Sequence, residues 1–109
     1  MRVHLVLILA GLFSAFAASA DTDPKLVRTY KAKCAACHGA DGKADTEAGK
    51  KAKLADMTKA EWQKSKTDAQ LKASIENGIK KDGNEMEAFK DKLTPEQITG
   101  LVAYIRTLK

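Results

Sequence analysis

The chain has 109 residues, 30% of them charged and 6% aromatic, and nineteen Lys and Arg against fourteen Asp and Glu give a formal net charge of +5. Most of the basic residues are lysines mixed with acids, beside a single Trp and no aromatic–basic interleaving, which argues against a nucleic-acid partner and for steering toward an acidic one.

Residues 1–20 read as a cleaved export signal. Arg2 supplies a positive start, Leu5 to Phe16 an apolar stretch too short to span a bilayer comfortably, and Ala18-Ser19-Ala20 the small-x-small pattern of a cleavage site. The mature chain is therefore expected to begin at Asp21, with no lipid-carrying cysteine there and no membrane anchor once the signal is gone. Residues 21–109 carry eighteen basic and fourteen acidic residues, a net charge of +4. They suffice for one compact domain. A core this small is commonly supplemented by a disulfide, a metal or a cofactor.

Helix signals dominate the mature part, and no strand-like alternation runs beyond a few residues. The first helix is expected from Pro24, capped by Asp23, to about Cys37 or His38, with Leu26, Val27, Tyr30 and Cys34 on one face and Gly39 as the stop. From Gly39 to about Leu54 the chain is polar and reads as surface loop or short helical turns, and a short helix is expected around Thr58 to Lys64. Thr67-Asp68-Ala69-Gln70 is a capping box opening a helix with Leu71 and Ile75 inward and Gly78 at its end. Ile79 to Lys92 is expected to be irregular. Thr94-Pro95-Glu96-Gln97 opens the last helix, whose Ile98, Leu101, Val102, Ile105 and Leu108 form an apolar stripe. The expected fold class is all-α, with three to five short helices.

The chemistry lies in Cys34-Ala35-Ala36-Cys37-His38. Cysteines at i and i+3 fall on one face of a helical turn, where two thiols can add to the two vinyl groups on one porphyrin edge. His38, next to Cys37, is then held under the iron as proximal ligand. A thioredoxin-like dithiol would need a βαβ context, and a structural zinc site would need four ligands. A disulfide between Cys34 and Cys37 would close too small a loop to gain much. For the second axial ligand the mature candidates are Met86 and Met57. Met86 lies far enough along the chain for it to wrap to the opposite face, whereas Met57, close after His38 and beside Leu54 and Ala55, reads as packing. An open site or a lysine is the alternative, and Lys80 and Lys81 stand near enough to the loop to replace Met86 at high pH.

Over Asp23 to Lys109 these residues resemble the class I cytochrome c family in its short bacterial form. Tyr30, four residues before Cys34, stands where that family keeps an aromatic on its first helix, and Leu101-Val102-Ala103-Tyr104 is similar to the last helix that crosses it. Met86-Glu87-Ala88-Phe89 is similar to the family's methionine loop. The resemblance implies one haem c bound through Cys34 and Cys37, with His38 and Met86 on the iron. It also implies pocket contacts from Tyr30, Leu54, Met57, Trp62 and Phe89. Three departures stand out: Leu26 where the family has a small residue, Glu87 in place of a proline after the methionine, and Ala55-Asp56-Met57 for Pro-x-Leu. Ala55 then stands to offer its carbonyl to the axial histidine.

The expected function is periplasmic single-electron transfer by a monomer that is not an enzyme. Its redox partners would dock acidic surfaces on lysines such as Lys31, Lys33 and Lys43. The alternatives are a haem-based small-ligand binder or peroxidase-like protein with a displaceable Met86, and a dedicated subunit of a larger oxidoreductase.

Overall fold

The computed structural model describes Gly11 and residues 23–109. The expected signal segment and the expected start at Asp21 lie outside the described residues, Gly11 apart.

Among the described residues, six helices and one hairpin follow in the order α1 (Pro24–Lys33), α2 (Ala35–His38), α3 (Glu47–Ala52), α4 (Ala60–Ser65), α5 (Asp68–Asn77), β1 (Ile79–Lys81), β2 (Asn84–Met86) and α6 (Pro95–Arg106). Helix α1 begins as its sequence dictates, with the Asp23 carboxylate accepting from the Lys25 amide and Pro24 in the first turn, where a missing N–H costs nothing. Helices α5 and α6 each carry the expected complete capping box, Thr67 with Gln70 and Thr94 with Gln97.

Two expectations need correcting. The first helix is not continuous to His38. Cys34, at φ −119° and ψ −35°, breaks the regular run of the helix, so Ala35–His38 forms a separate turn, α2. Nor is Ile79 to Lys92 irregular throughout: Ile79 pairs with Met86, Lys80 with Glu85 and Lys81 with Asn84 in an antiparallel hairpin. Asp82 and Gly83, at φ 51° and 79°, make its two-residue turn. Positive φ at both turn positions matches the twist of hairpin strands, which is why Asp-Gly is favoured there.

The core gathers the α6 stripe, Ile98, Leu101, Val102 and Ile105, with Tyr30, Leu71, Ile75, Phe89 and Leu93. Leu101 is 1% exposed, and each such aliphatic contributes about 1.5–3 kcal/mol by leaving water. Where α1 meets α6, the Tyr30 and Tyr104 rings meet edge to face, centroids 4.9 Å apart. The close approach that a small residue on α1 would give is supplied from the other side. A Cβ on Gly100 would lie 2.7 Å from both Leu26 methyls, so Leu26 fills the notch that Gly100 leaves in α6. Arg106, at the end of α6, ties in the α4–α5 connection: Nε donates to Asp68 at 2.8 Å and Nη1 to the Gln63 carbonyl at 2.6 Å.

Candidate haem-binding site

A cavity of about 930 Å³ opens between the α1–α3 segment and the hairpin, within the roughly 300–1,000 Å³ of small-molecule and cofactor sites. One wall carries Cys34, Cys37 and His38, then Ala52, Lys53, Leu54 and Ala55; the other carries Ile79, Lys81, Asn84, Met86 and Phe89. The residues singled out for chemistry thus face one space.

The first wall is pinned from behind. The Ala44 amide donates to the His38 carbonyl at 2.8 Å, and the Thr46 hydroxyl to the Cys37 carbonyl at 2.7 Å. The same hydroxyl caps α3 by accepting from the Gly49 amide. Gly49 lies so close behind the motif that a Cβ would come within 2.5 Å of the Ala44 oxygen and 2.6 Å of the Cys37 oxygen. Below it the Tyr30 hydroxyl donates to the Gly39 carbonyl at 2.8 Å.

Both thiols are free, Cys37 exposed and Cys34 half-buried. Burial, helped by the neighbouring Cys37, pushes the Cys34 thiol up to about 11, so it stays protonated at neutral pH. His38 is shifted the other way: burial disfavours the imidazolium and keeps the ring neutral, with a lone pair to give. Its Nδ1 is buried with no hydrogen-bond partner, so the expected bond to the Ala55 carbonyl is not made. A buried ring nitrogen without a partner, beside two thiols in a cavity that a methionine also lines, is a donor set that fits a covalently attached haem.

Of the expected pocket contacts, Leu54 and Phe89 line the cavity, whereas Tyr30, Met57 and Trp62 do not. Tyr30 is fully buried under α6 and its phenol is pushed above its ordinary range by burial. Met57, 4% exposed, belongs to the core, and Trp62 packs against that core half-buried. Of the expected lysine ring Lys33 lines the cavity, but Lys31 borders a separate shallow depression, and Lys51, Lys53 and Lys81 complete the rim in place of Lys43. Ile79 lines the cavity too, and no sequence motif marks it. At 45% it is the one large hydrophobic left exposed among the described residues, a signal that needs the fold to be seen.

A family model described as cytochrome c oxidase, cbb3-type, subunit III, matches residues 22–105. The chain belongs to the class I c-type cytochromes. Cytochrome c6 of Nostoc sp. strain PCC 7120 is 35% identical over 111 residues, covering 96% of this chain and 92% of the relative. Among solved structures, the KustC0563 c-type cytochrome matches at 33% identity with a TM-score of 0.65, over 76% of this chain and 95% of its own. A Kustc0563 mutant matches at 32% with a TM-score of 0.66, over 77% and 98%. The architecture is accordingly a cytochrome c fold, and the protein is a haem-based electron-transfer protein that works with redox partners. Among the described residues of this cytochrome, no helix is long and apolar enough to cross a membrane.

Proposed function

We propose that this cytochrome holds a single haem through thioethers to Cys34 and Cys37, with His38 and Met86 as axial ligands, and shuttles single electrons between partners in the periplasm. The observation that supports the reading is the shared cavity, which both thiols, His38 and Met86 all line. When bound, the haem supplies a one-electron Fe(II)/Fe(III) couple, and thioether ligation favours the reduced form. The chain does the rest. Burial keeps His38 neutral for ligation. Leu54, Ile79 and Phe89 furnish an apolar lining that limits water. Thiol addition to two vinyl groups needs two thiols on one porphyrin edge, and Cys34 and Cys37 line the same cavity.

Lys33, Lys51 and Lys53 are exposed on the rim and form no ion pair among the described residues, so they are available to an acidic partner. Such docking is small and salt-sensitive, and electron-transfer rates should fall as ionic strength rises. The leader reading belongs to the same proposal: cleavage after Ala20 releases an exported monomer, checked by sequencing the amino terminus of the periplasmic protein. The description of the matching family model favours one second reading, a dedicated subunit of a larger oxidoreductase. Co-purification with a membrane oxidase would select it.

The deciding experiment is the visible spectrum of the haem-loaded protein, oxidised and reduced, beside Met86→Ala. A weak far-red band in the oxidised form that the variant lacks supports His/Met ligation and the carrier. A five-coordinate wild-type spectrum with ready CO binding overturns it in favour of a ligand binder or peroxidase-like protein.

A further inference from the structure

The hairpin carrying Met86 is the least embedded part of the site. Every residue from Ile79 to Glu85 is exposed, and Met86 is half-buried. Its base is fixed, because the Phe89 and Lys90 amides donate to the Ile75 and Glu76 carbonyls at the end of α5, at 2.9 and 3.2 Å. Its tip reaches the opposite wall through one side-chain hydrogen bond among the described residues. Asn84 Nδ2 donates to the Ala52 carbonyl at 3.1 Å, across 32 positions of sequence. Ala52 is the last residue of α3, and both partners line the cavity, so this bond spans its two walls. Asn84 and Met86 alternate with Glu85 along β2 and therefore share a face of the strand. The Lys80–Glu85 ion pair at 3.8 Å, by contrast, stays within the hairpin.

We propose that Asn84 is a positioning residue for Met86. Its side-chain amide ties the hairpin to the end of α3 and so sets how often the methionine side of the cavity opens to another ligand. Two strands of three residues have little stability of their own, so their closed position depends on such outside ties. Losing one raises the open population roughly fivefold, and a competing ligand gains apparent affinity in proportion. The inference rests on Met86 being the iron ligand.

The test is a titration of the ferric, haem-loaded protein with imidazole, followed in the visible spectrum. Asn84→Ala and the isosteric Asn84→Asp, which cannot donate, should each bind imidazole roughly fivefold more tightly than wild type. Lys80→Ala, which removes only the hairpin's internal ion pair, should stay within about twofold of wild type. Wild-type affinity in both Asn84 variants, with Met86→Ala still losing the far-red band, overturns the tie while leaving the ligation standing. So does an equal gain in Lys80→Ala. A Met86→Ala spectrum identical to wild type instead removes the ligation reading, and the proposal with it.

Discussion

The two walls of the cavity are built on different plans. On the α2–α3 side the motif's backbone is held by the Ala44 amide and the Thr46 hydroxyl, and Gly49 seats against it with no room for a side chain. On the hairpin side the chain is exposed, fastened at its base by two backbone bonds and at its tip by Asn84. Two thiols and an imidazole must present a fixed spacing to one rigid cofactor, and closely spaced bonds to the motif's backbone give that precision. A single thioether ligand needs only to reach the other face, and a thinly held hairpin suffices.

The strongest way to break the comparison is Gly49→Ala. Its Cβ would meet backbone oxygens at 2.5 and 2.6 Å, atoms that cannot swing aside like a flexible side-chain end. The expected loss is about 3 kcal/mol in denaturant unfolding of the haem-loaded protein, as for overpacking a rigid site. A loss below about 1 kcal/mol would mean that the wall yields, and the contrast with the hairpin would fall.

The next effect lies where α1, which leads into the fixed wall, crosses α6. Gly100→Ala should cost about 2 kcal/mol, because Leu26, half-buried between the helices, must leave its notch. Leu26→Ala in the same chain should recover part of that loss, and strict additivity in the double-mutant cycle would deny the contact. This crossing also marks a limit of the sequence. Leu26 stands on α1 where the family has a small residue, but the contact needs one small residue on either helix, and only the packed pair identifies Gly100. The capping boxes of α5 and α6 and the Cys34–His38 motif were legible because each is a local pattern with its own chemistry. The hairpin was not, since three-residue strands carry almost no alternation and Asp82-Gly83 is a turn signal without flanking strand signals. Tyr30, Met57 and Trp62 have the composition of a haem pocket and equally of a core, and sequence does not say on which side of a buried layer a side chain ends.

On the hairpin side, Gly83→Ala should cost only about 1 kcal/mol. A Cβ there meets nothing within 4 Å, so the loss comes from the positive φ of 79° alone. The same Gly-to-Ala change thus measures each wall: crowding at position 49 and bare backbone preference at position 83. Equal losses at the two positions would erase the difference between them.

The smallest effect is a pH dependence placed just beyond the fixed wall. The Asp56 carboxylate accepts from the Thr58 hydroxyl at 2.5 Å and the Thr58 amide at 2.8 Å. These bonds, the hydroxyl's first, hold it below the ordinary carboxylate value near 3.8. A carboxyl group lowered on folding stabilises the folded state above the unfolded value, and that stabilisation is lost as pH falls through the folded one. Asp56→Asn should therefore be slightly less stable than wild type at neutral pH, with the gap closing below about pH 4. The far-red absorption of the haem-loaded protein should not follow this titration, because Asp56 precedes α4 and lies outside the cavity lining. Unfolding midpoints measured from neutral pH to about pH 3 decide the matter. A gap that stays constant over that range would show that the Thr58 bonds do not depend on the carboxylate's charge. A band that titrates with the gap would tie this corner of the fixed wall to the hairpin opposite, and the two walls would then have to be treated as one unit.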